Sequence, residues 1–226
     1  MVGMSDKPSI HEYPGDQVDV SWDGRLCIHV GECGRAEGPL FTGGRNPWCD
    51  PNVAGSAAEV AEVCERCPTG ALTYVRKDGE LERAPGRNQV VISNDGPLYF
   101  TGDLQIAGAP EDMSGVRFRA ALCRCGRSAN KPFCDNSHRA ASDGVEPFHD
   151  AGAVGAAGQA SIDEGGPLEI KRVPNGPLLV NGSFTIVTGA GRVAWRGTRH
   201  ALCRCGASTN KPFCDGSHKA AGFTAE

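Results

Sequence analysis

Residues 121–138 read ALCRCGRSANKPFCDNSH, and residues 201–218 read ALCRCGASTNKPFCDGSH. The two stretches lie 80 residues apart, and the offset holds outward without a gap: Gly96-Pro97-Leu98 aligns with Gly176-Pro177-Leu178, and Gly102 with Gly182. Around them, Val90-Val91-Ile92, Leu98-Tyr99-Phe100 and Val193-Ala194-Trp195 read as short strands bounded by glycine turns. Each copy is therefore expected to run as a short apolar strand, a Gly-Pro turn, a second strand, and a third strand that enters Cys-x-Cys. An ungapped internal repeat of this kind predicts two β-rich modules packed about a pseudo-two-fold axis.

Each copy carries Cys-x-Cys, a cysteine nine residues on, and a histidine four beyond that. These are Cys123, Cys125, Cys134 and His138, then Cys203, Cys205, Cys214 and His218. A pair of cysteines separated by one residue is tighter than the usual zinc-finger spacing. Four ligands suit a [2Fe–2S] cluster, with Cys123 and Cys125 on one iron and Cys134 and His138 on the other. A helical 134–138 segment would put Cys134 and His138 on one face, with Asp135 and Asp215 in a favourable first turn. The competing reading is a structural zinc site.

Composition narrows the class. The 226 residues include 11 cysteines, an odd number, in three clumps, and the first residues lack a basic stretch followed by an apolar one. In a chain without an export signal thiols stay reduced, so metal ligation outweighs disulfides and a cytoplasmic location is expected. A net charge of −4 excludes a strongly basic nucleic-acid binder, and no apolar run reaches the ~18 residues of a membrane span. With 6% aromatic and 39% hydrophobic residues, small metal-stapled modules fit better than one large core. No dinucleotide fingerprint, phosphate loop or nucleophile elbow is present, so an enzyme is not expected.

The repeated motif resembles that of the CDGSH iron–sulfur proteins, Cys-x-Cys-x2-Ser-x3-Pro-x-Cys-Asp-Gly-Ser-His. The second copy matches throughout, from Cys203 through Ser208 and Pro212 to Cys214-Asp215-Gly216-Ser217-His218; the first departs only at Asn136, where glycine is usual. Asparagine tolerates the left-handed backbone that glycine supplies. The match covers about 88–141 and 168–220 and resembles the monomeric, two-motif branch of the family. It implies two redox-active clusters. A neutral imidazole replacing a thiolate raises the potential, and its protonation makes the cluster acid-labile and transferable.

Upstream, Cys27-Ile-His-Val-Gly-Glu-Cys33 and a distant Cys67-Pro68 echo the bacterial ferredoxin run with its central cysteine replaced by Val30. Together with His29, Gly31, Pro47-Trp48 and Cys67-Pro68-Thr69-Gly70-Ala71-Leu72, residues 18–76 resemble the divergent 4Fe–4S mono-cluster ferredoxins. Cys27, Cys33 and Cys67 suffice for a [3Fe–4S] cluster, and a [4Fe–4S] cluster needs one ligand more. Ser56-Ala-Ala-Glu59 is a capping box opening a helix to about Cys67, whose face carries Val60, Cys64 and Cys67. The extra ligand is Cys64 or His29, although Cys64 also reads as a small apolar core residue; Cys49 reads as an incidental thiol.

The sequence thus predicts an α+β protein: a tail (1–16), a ferredoxin-like single-cluster domain (17–80), a CDGSH module (88–142), a small-residue linker (143–165) and a second CDGSH module (166–222). The expected cofactors are two [2Fe–2S] clusters and one [3Fe–4S] or [4Fe–4S] cluster. The expected role is electron transfer to a redox partner protein by a monomer that binds neither nucleic acid nor membrane. The alternatives are a cluster carrier serving an apo-protein acceptor, a redox or pH sensor, and a zinc protein. Arg124, Arg127, Lys131, Arg139, Arg204, Lys211 and Lys219 read as a solvated rim or a docking patch, and His11, His149 and His200 as surface or packing residues.

Overall fold

The computed structural model describes residues 10–139, 146–154 and 165–226. They divide into two compact units, residues 10–67 with 71–82, and residues 68–70 with 83–226, and the described residues are mostly β with one α-helix. Among the described residues no helix is long and apolar enough to cross a membrane.

The first unit is an antiparallel sheet of β1 (Ile10–Tyr13), β2 (Val18–Asp23) and β3 (Leu72–Arg76) in that order. Alternation along β2 buries Val18 and Val20, and α1 (Ala57–Glu65) adds Val60, Val63 and Cys64 to the same core. Ser56 caps α1 by accepting the Glu59 amide at 3.2 Å. The Glu59 carboxylate reaches back to the Gly55 amide at 2.9 Å, so the box closes one residue further out than its usual form. The helix stops at Glu65, short of Cys67. Residues 10–13, read above as tail, are β1, held because His11 lies against Trp22 (5.4 Å) and Tyr13 against Trp48 (5.9 Å). Residues 1–9 lie outside the described residues.

The second unit holds both repeats in one sheet. Its strands are β4 (Gln89–Ile92), β5 (Leu98–Thr101), β6 (Asp103–Ile106), β7 (Arg119–Leu122), β8 (Pro167–Arg172), β9 (Leu178–Thr188) and β10 (Val193–Leu202). The order is β6-β8-β9-β4-β5-β7, with β10 on β9. The first strand of each copy pairs in parallel with the second-strand segment of the other: Gln89 sits opposite Thr185, and Glu169 opposite Gln105. Those two pairs are the same pair with the copies exchanged, so neither repeat completes its sheet alone. Buried Asn88 clips the exchange, donating to the Gly166 and Ser183 carbonyls (2.9 Å each) and accepting from the Asp103 amide (3.0 Å). Gly102, at φ 147°, leaves room for it, because a Cβ there would lie 2.0 Å from Asn88 Oδ1.

The copies are not identical. The second keeps a continuous β9–β10 hairpin, over which Trp195 packs on Phe184 at 4.7 Å; the first breaks its second strand at Gly102 and has a 3-10 turn (Ser114–Arg117) before β7. The described part of the predicted linker is not an idle spacer. Phe148 and Val154 are buried, Arg192 donates to the Val154 carbonyl at 3.1 Å, and a Cβ on Gly152 would lie 3.0 Å from the Ile92 carbonyl. The rest of that linker, residues 143–145 and 155–164, lies outside the described residues.

Candidate metal centres

In each repeat the segment after Cys-x-Cys turns back on the strand that delivered it. Cys123 N–H donates to the Pro132 carbonyl (2.8 Å) and Cys134 N–H to the Ala121 carbonyl (2.9 Å); Cys203 and Cys214 make the same bonds to Pro212 and Ala201 at the same distances. The thiols thereby meet in pairs. Cys123 and Cys125 Sγ lie 3.7 Å apart, Cys203 and Cys205 Sγ 3.6 Å, Cys134 Sγ and His138 Nδ1 3.4 Å, and Cys214 Sγ and His218 Nδ1 3.5 Å. Among the described residues no three Cys, His, Asp or Glu side chains close on a single point as one metal ion would require. Backbone amides of Arg127, Asn136 and Ala207 point at the sulfurs of Cys125, Cys134 and Cys205 (3.5, 3.5 and 3.4 Å), which suits sulfur that carries thiolate charge in a cluster. The donor set therefore fits a cluster that divides its ligands two and two.

The cysteine–histidine segment is not the helix that its spacing suggested. Asn136 and Gly216 stand at φ 71° and 89°, a left-handed conformation that interrupts any right-handed turn and that glycine and asparagine tolerate best. The acid before them organises the turn. Asp135 accepts the Ser137 amide (3.0 Å), the Ser137 hydroxyl (2.6 Å) and the Ala129 amide (2.7 Å), and Asp215 likewise accepts from Ser217 and Thr209. Burial works against the Asp135 carboxylate, yet these bonds bring its pKa below the usual range; the same bonds depress Asp215.

Burial and mutual charge tune the thiols. The hydrogen bond from Cys125 brings Cys123 down to about 6, whereas Cys125, which keeps the shared proton, is raised. Desolvation pushes Cys134 up to about 11, raises Cys205 and lowers His138. Ligation of these thiols must therefore release protons. The lobes differ in access: Cys134 and His138 are buried, whereas Cys214 and His218 are half-buried.

The residue inside Cys-x-Cys departs most from the sequence reading. Arg124 and Arg204 are not rim cations but are each only 2% exposed. With the candidate ligands on either side, the side chain between them turns to the opposite face, into the lobe. Arg124 donates to the carbonyls of Gly96 (2.7 Å) and Ser93 and to the Asp150 carboxylate (2.6 Å). Arg204 donates to the carbonyls of Gly176 (2.7 Å), Val173 (2.6 Å) and Glu226 (2.8 Å). An aromatic covers each guanidinium, Phe148 at 5.2 Å and Phe223 at 5.4 Å, and each aromatic amide donates to the carbonyl of its lobe's histidine, His138 (2.9 Å) or His218 (3.0 Å). These covering segments follow the motifs at an offset of 75 residues, not 80, so an ungapped alignment does not pair them. Lys131 and Lys211 fold onto the Ser128 and Ser208 carbonyls, while Arg127, Arg139 and Lys219 are exposed.

In the first unit Cys33 is the hub. Burial raises its pKa, and the charges of Cys67 and Cys27 raise it further. Cys27 Sγ lies 4.0 Å from His29 Nδ1, and His29 holds a left-handed φ of 54°, uncommon for a residue with a Cβ. Cys64 is wholly buried among Val60, Val63 and Leu72. Cys49 is equally buried, and burial pushes its thiol up to about 12. Trp48 packs edge-on to Trp22 at 6.0 Å and over Phe41 at 4.9 Å, and Trp48, Cys33 and Cys67 all pack against the first unit's core.

Two lobes of paired thiol and imidazole donors, with a third cysteine group earlier in the sequence, mark an iron–sulfur protein. The family described as "Iron-binding zinc finger CDGSH type" matches residues 95–139 and 175–219, and the one described as "Divergent 4Fe-4S mono-cluster" matches residues 13–77. "Uncharacterized protein YjdI" of Escherichia coli (strain K12) is 40% identical over 65 residues, 29% of this chain and 84% of that protein, and the protein of that name in strain O157:H7 gives the same values. The chain belongs to the CDGSH-type iron-binding proteins and carries a divergent 4Fe–4S mono-cluster domain ahead of its two repeats.

Proposed function

We propose that this protein is a one-electron carrier with three iron–sulfur clusters, and not an enzyme. Cys123 and Cys125 hold one iron of a [2Fe–2S] cluster, and Cys134 and His138 the other; Cys203, Cys205, Cys214 and His218 do the same in the second lobe. Cys27, Cys33 and Cys67, with His29 as fourth ligand, hold a [4Fe–4S] cluster in a ferredoxin-like first unit. His29 is preferred to Cys64 because its Nδ1 lies 4.0 Å from Cys27 Sγ, whereas Cys64 is packed at zero exposure in the core. Such clusters supply the uptake and release of single electrons. The chain's part is to fix ligand spacing, aim amides at the sulfurs and keep water from the donors.

The observation that carries this reading is the two-by-two pairing of donors in both lobes, at Sγ–Sγ distances of 3.7 and 3.6 Å and Sγ–Nδ1 distances of 3.4 and 3.5 Å. The half-buried Cys214 and His218 favour a second reading, in which the second lobe passes its cluster to an apo-protein acceptor or senses pH. The partner is accordingly a redox protein or such an acceptor. The test is iron, zinc and acid-labile sulfide per chain on anaerobically purified protein. About eight irons with matching sulfide are expected. About four would remove the first unit's cluster, and zinc without sulfide would overturn the proposal.

A further inference from the structure

The two Cys-x-Cys loops meet. Cys125 and Cys205 face each other as an antiparallel bridge pair, which sets their Cα atoms about 4.5–5.5 Å apart. They are equivalent residues of the two repeats, so the pseudo-two-fold axis implied by the exchanged β4 and β8 registers runs through this bridge. The approach needs glycine on both sides. Gly126 and Gly206 stand at φ 82° and 81°, and a Cβ on either would lie 2.6 Å from the carbonyl oxygen of the opposite ligand, Cys205 or Cys125. The nearest atoms that either Cβ would meet are all backbone of the opposite copy's cysteine.

Resting on the ligand assignment above, we infer that the Cys125–Cys205 bridge couples the two lobes into a single redox unit, in which an electron held by one lobe opposes reduction of the other. The lobes exchange no atoms. An external one-electron donor supplies each electron, and each is held until an acceptor removes it. The bridge brings a ligand main chain of one site against that of the other with both cysteines half-buried, where charges act on one another more strongly than in open water. A structural bridge alone would leave the lobes to titrate independently.

Coupling between sites is commonly 5–150-fold. A penalty of about tenfold on the second electron raises the largest singly reduced fraction from one half, the value for equal independent sites, to about three quarters. The experiment is an anaerobic dithionite titration of the full chain in a Cys33→Ala background, which silences the first unit, followed by electron paramagnetic resonance. One-lobe controls carry Cys134→Ser with His138→Ala, or Cys214→Ser with His218→Ala. The expected result is a doubly reduced spectrum split by spin–spin interaction, an unsplit half-reduced spectrum, and a second reduction harder than in either one-lobe control. Gly126→Ala with Gly206→Ala should remove the splitting while both lobes stay loaded; splitting that persists in that loaded variant overturns the role of the bridge. A loaded two-lobe protein whose titration and line shape equal the sum of the one-lobe controls overturns the coupling alone. A two-lobe sample without iron and sulfide overturns the cluster assignment, and the coupling with it.

Discussion

Asp150→Asn is the most informative single change, because it touches no proposed ligand yet removes the charge opposite a buried guanidinium. Asp150 Oδ1 lies 2.6 Å from Arg124 Nη1, with side-chain exposures of 15% and 1%. Breaking a fully buried pair from one side costs about 3–5 kcal/mol, most of it the uncompensated charge. Two features reduce that here: Asp150 retains some access to water, and Arg124 keeps its carbonyl acceptors at Gly96 and Ser93. A cost of about 2–3 kcal/mol is left, which at 1.4 kcal/mol per tenfold raises the opening equilibrium of the first lobe roughly 30–140-fold. Opening exposes Cys134 and His138, whose segment is tied to the covering segment by the bond from Phe148 N–H to the His138 carbonyl. The assay is the rate at which the visible absorbance of the first lobe bleaches under excess chelator at pH 7, with the second lobe emptied by Cys214→Ser and His218→Ala. A change of less than about threefold would refute the argument that the guanidinium depends on this carboxylate. Adding Arg124→Met to Asp150→Asn should recover much of the loss, since replacing both members of a buried pair is often near neutral.

Three further outcomes are expected. Cys64→Ala should keep the iron of the first unit, whereas Cys33→Ala should lose it; metal analysis of that unit's stoichiometry checks both. Ser56→Ala removes the acceptor of the Glu59 amide and should cost α1 about 1 kcal/mol, read as faster amide hydrogen exchange across 57–65. His200, stacked on Phe213 at 4.0 Å, has its pKa lowered by burial. A histidine depressed in the folded state contributes stability that is complete above its unfolded value of about 6.5 and fades as pH falls towards the folded one. The difference in β9–β10 exchange protection between wild type and His200→Gln should therefore shrink below pH 6.5 and be constant above it.

What the sequence disclosed and what it withheld follow from the range of the interactions. Motif spacing is local, so the cysteine and cysteine–histidine pairs that the fold brings together could be read directly, as could the Ser56 cap and the short strands between glycines. The helical reading of 134–138 failed because i, i+4 spacing is shared by a helix and by a turn closed through Asp135, and the left-handed Asn136 and Gly216 decide for the turn. The sequence pattern points Arg124 and Arg204 to a solvated rim or a docking patch because arginine is rarely buried. The signal that could have placed them is the retention of arginine between the cysteines in both copies, while Arg127 gives way to Ala207. Phe148 and Asp150 were invisible for a different reason: they reach Arg124 from beyond the gap that breaks the 80-residue register, and only tertiary structure supplies that proximity.

The exchange of first strands between copies explains why the repeat occurs twice on one chain. Val90 and Ile92 are fully buried in a strand flanked by β5 of its own copy and β9 of the other. A single repeat would leave β4 as an exposed apolar edge, a template for pairing with another chain. Placing the second copy in the same polypeptide replaces an encounter between chains with an intramolecular one, whose effective concentration is set by the connecting segment. That segment does more than connect, because residues 148–154 return to cover Arg124 and to bond Arg192 of the second copy. The second copy takes its cover instead from Phe223 and Glu226, and its Cys214 and His218 remain half-buried where Cys134 and His138 are buried. The two lobes share a motif but not an environment, so the first should hold its cluster longer than the second. With each lobe studied alone through the ligand variants above, the second should bleach first under chelator at neutral pH; equal rates would show that the covering segment, and not only the ligand set, is equivalent in both.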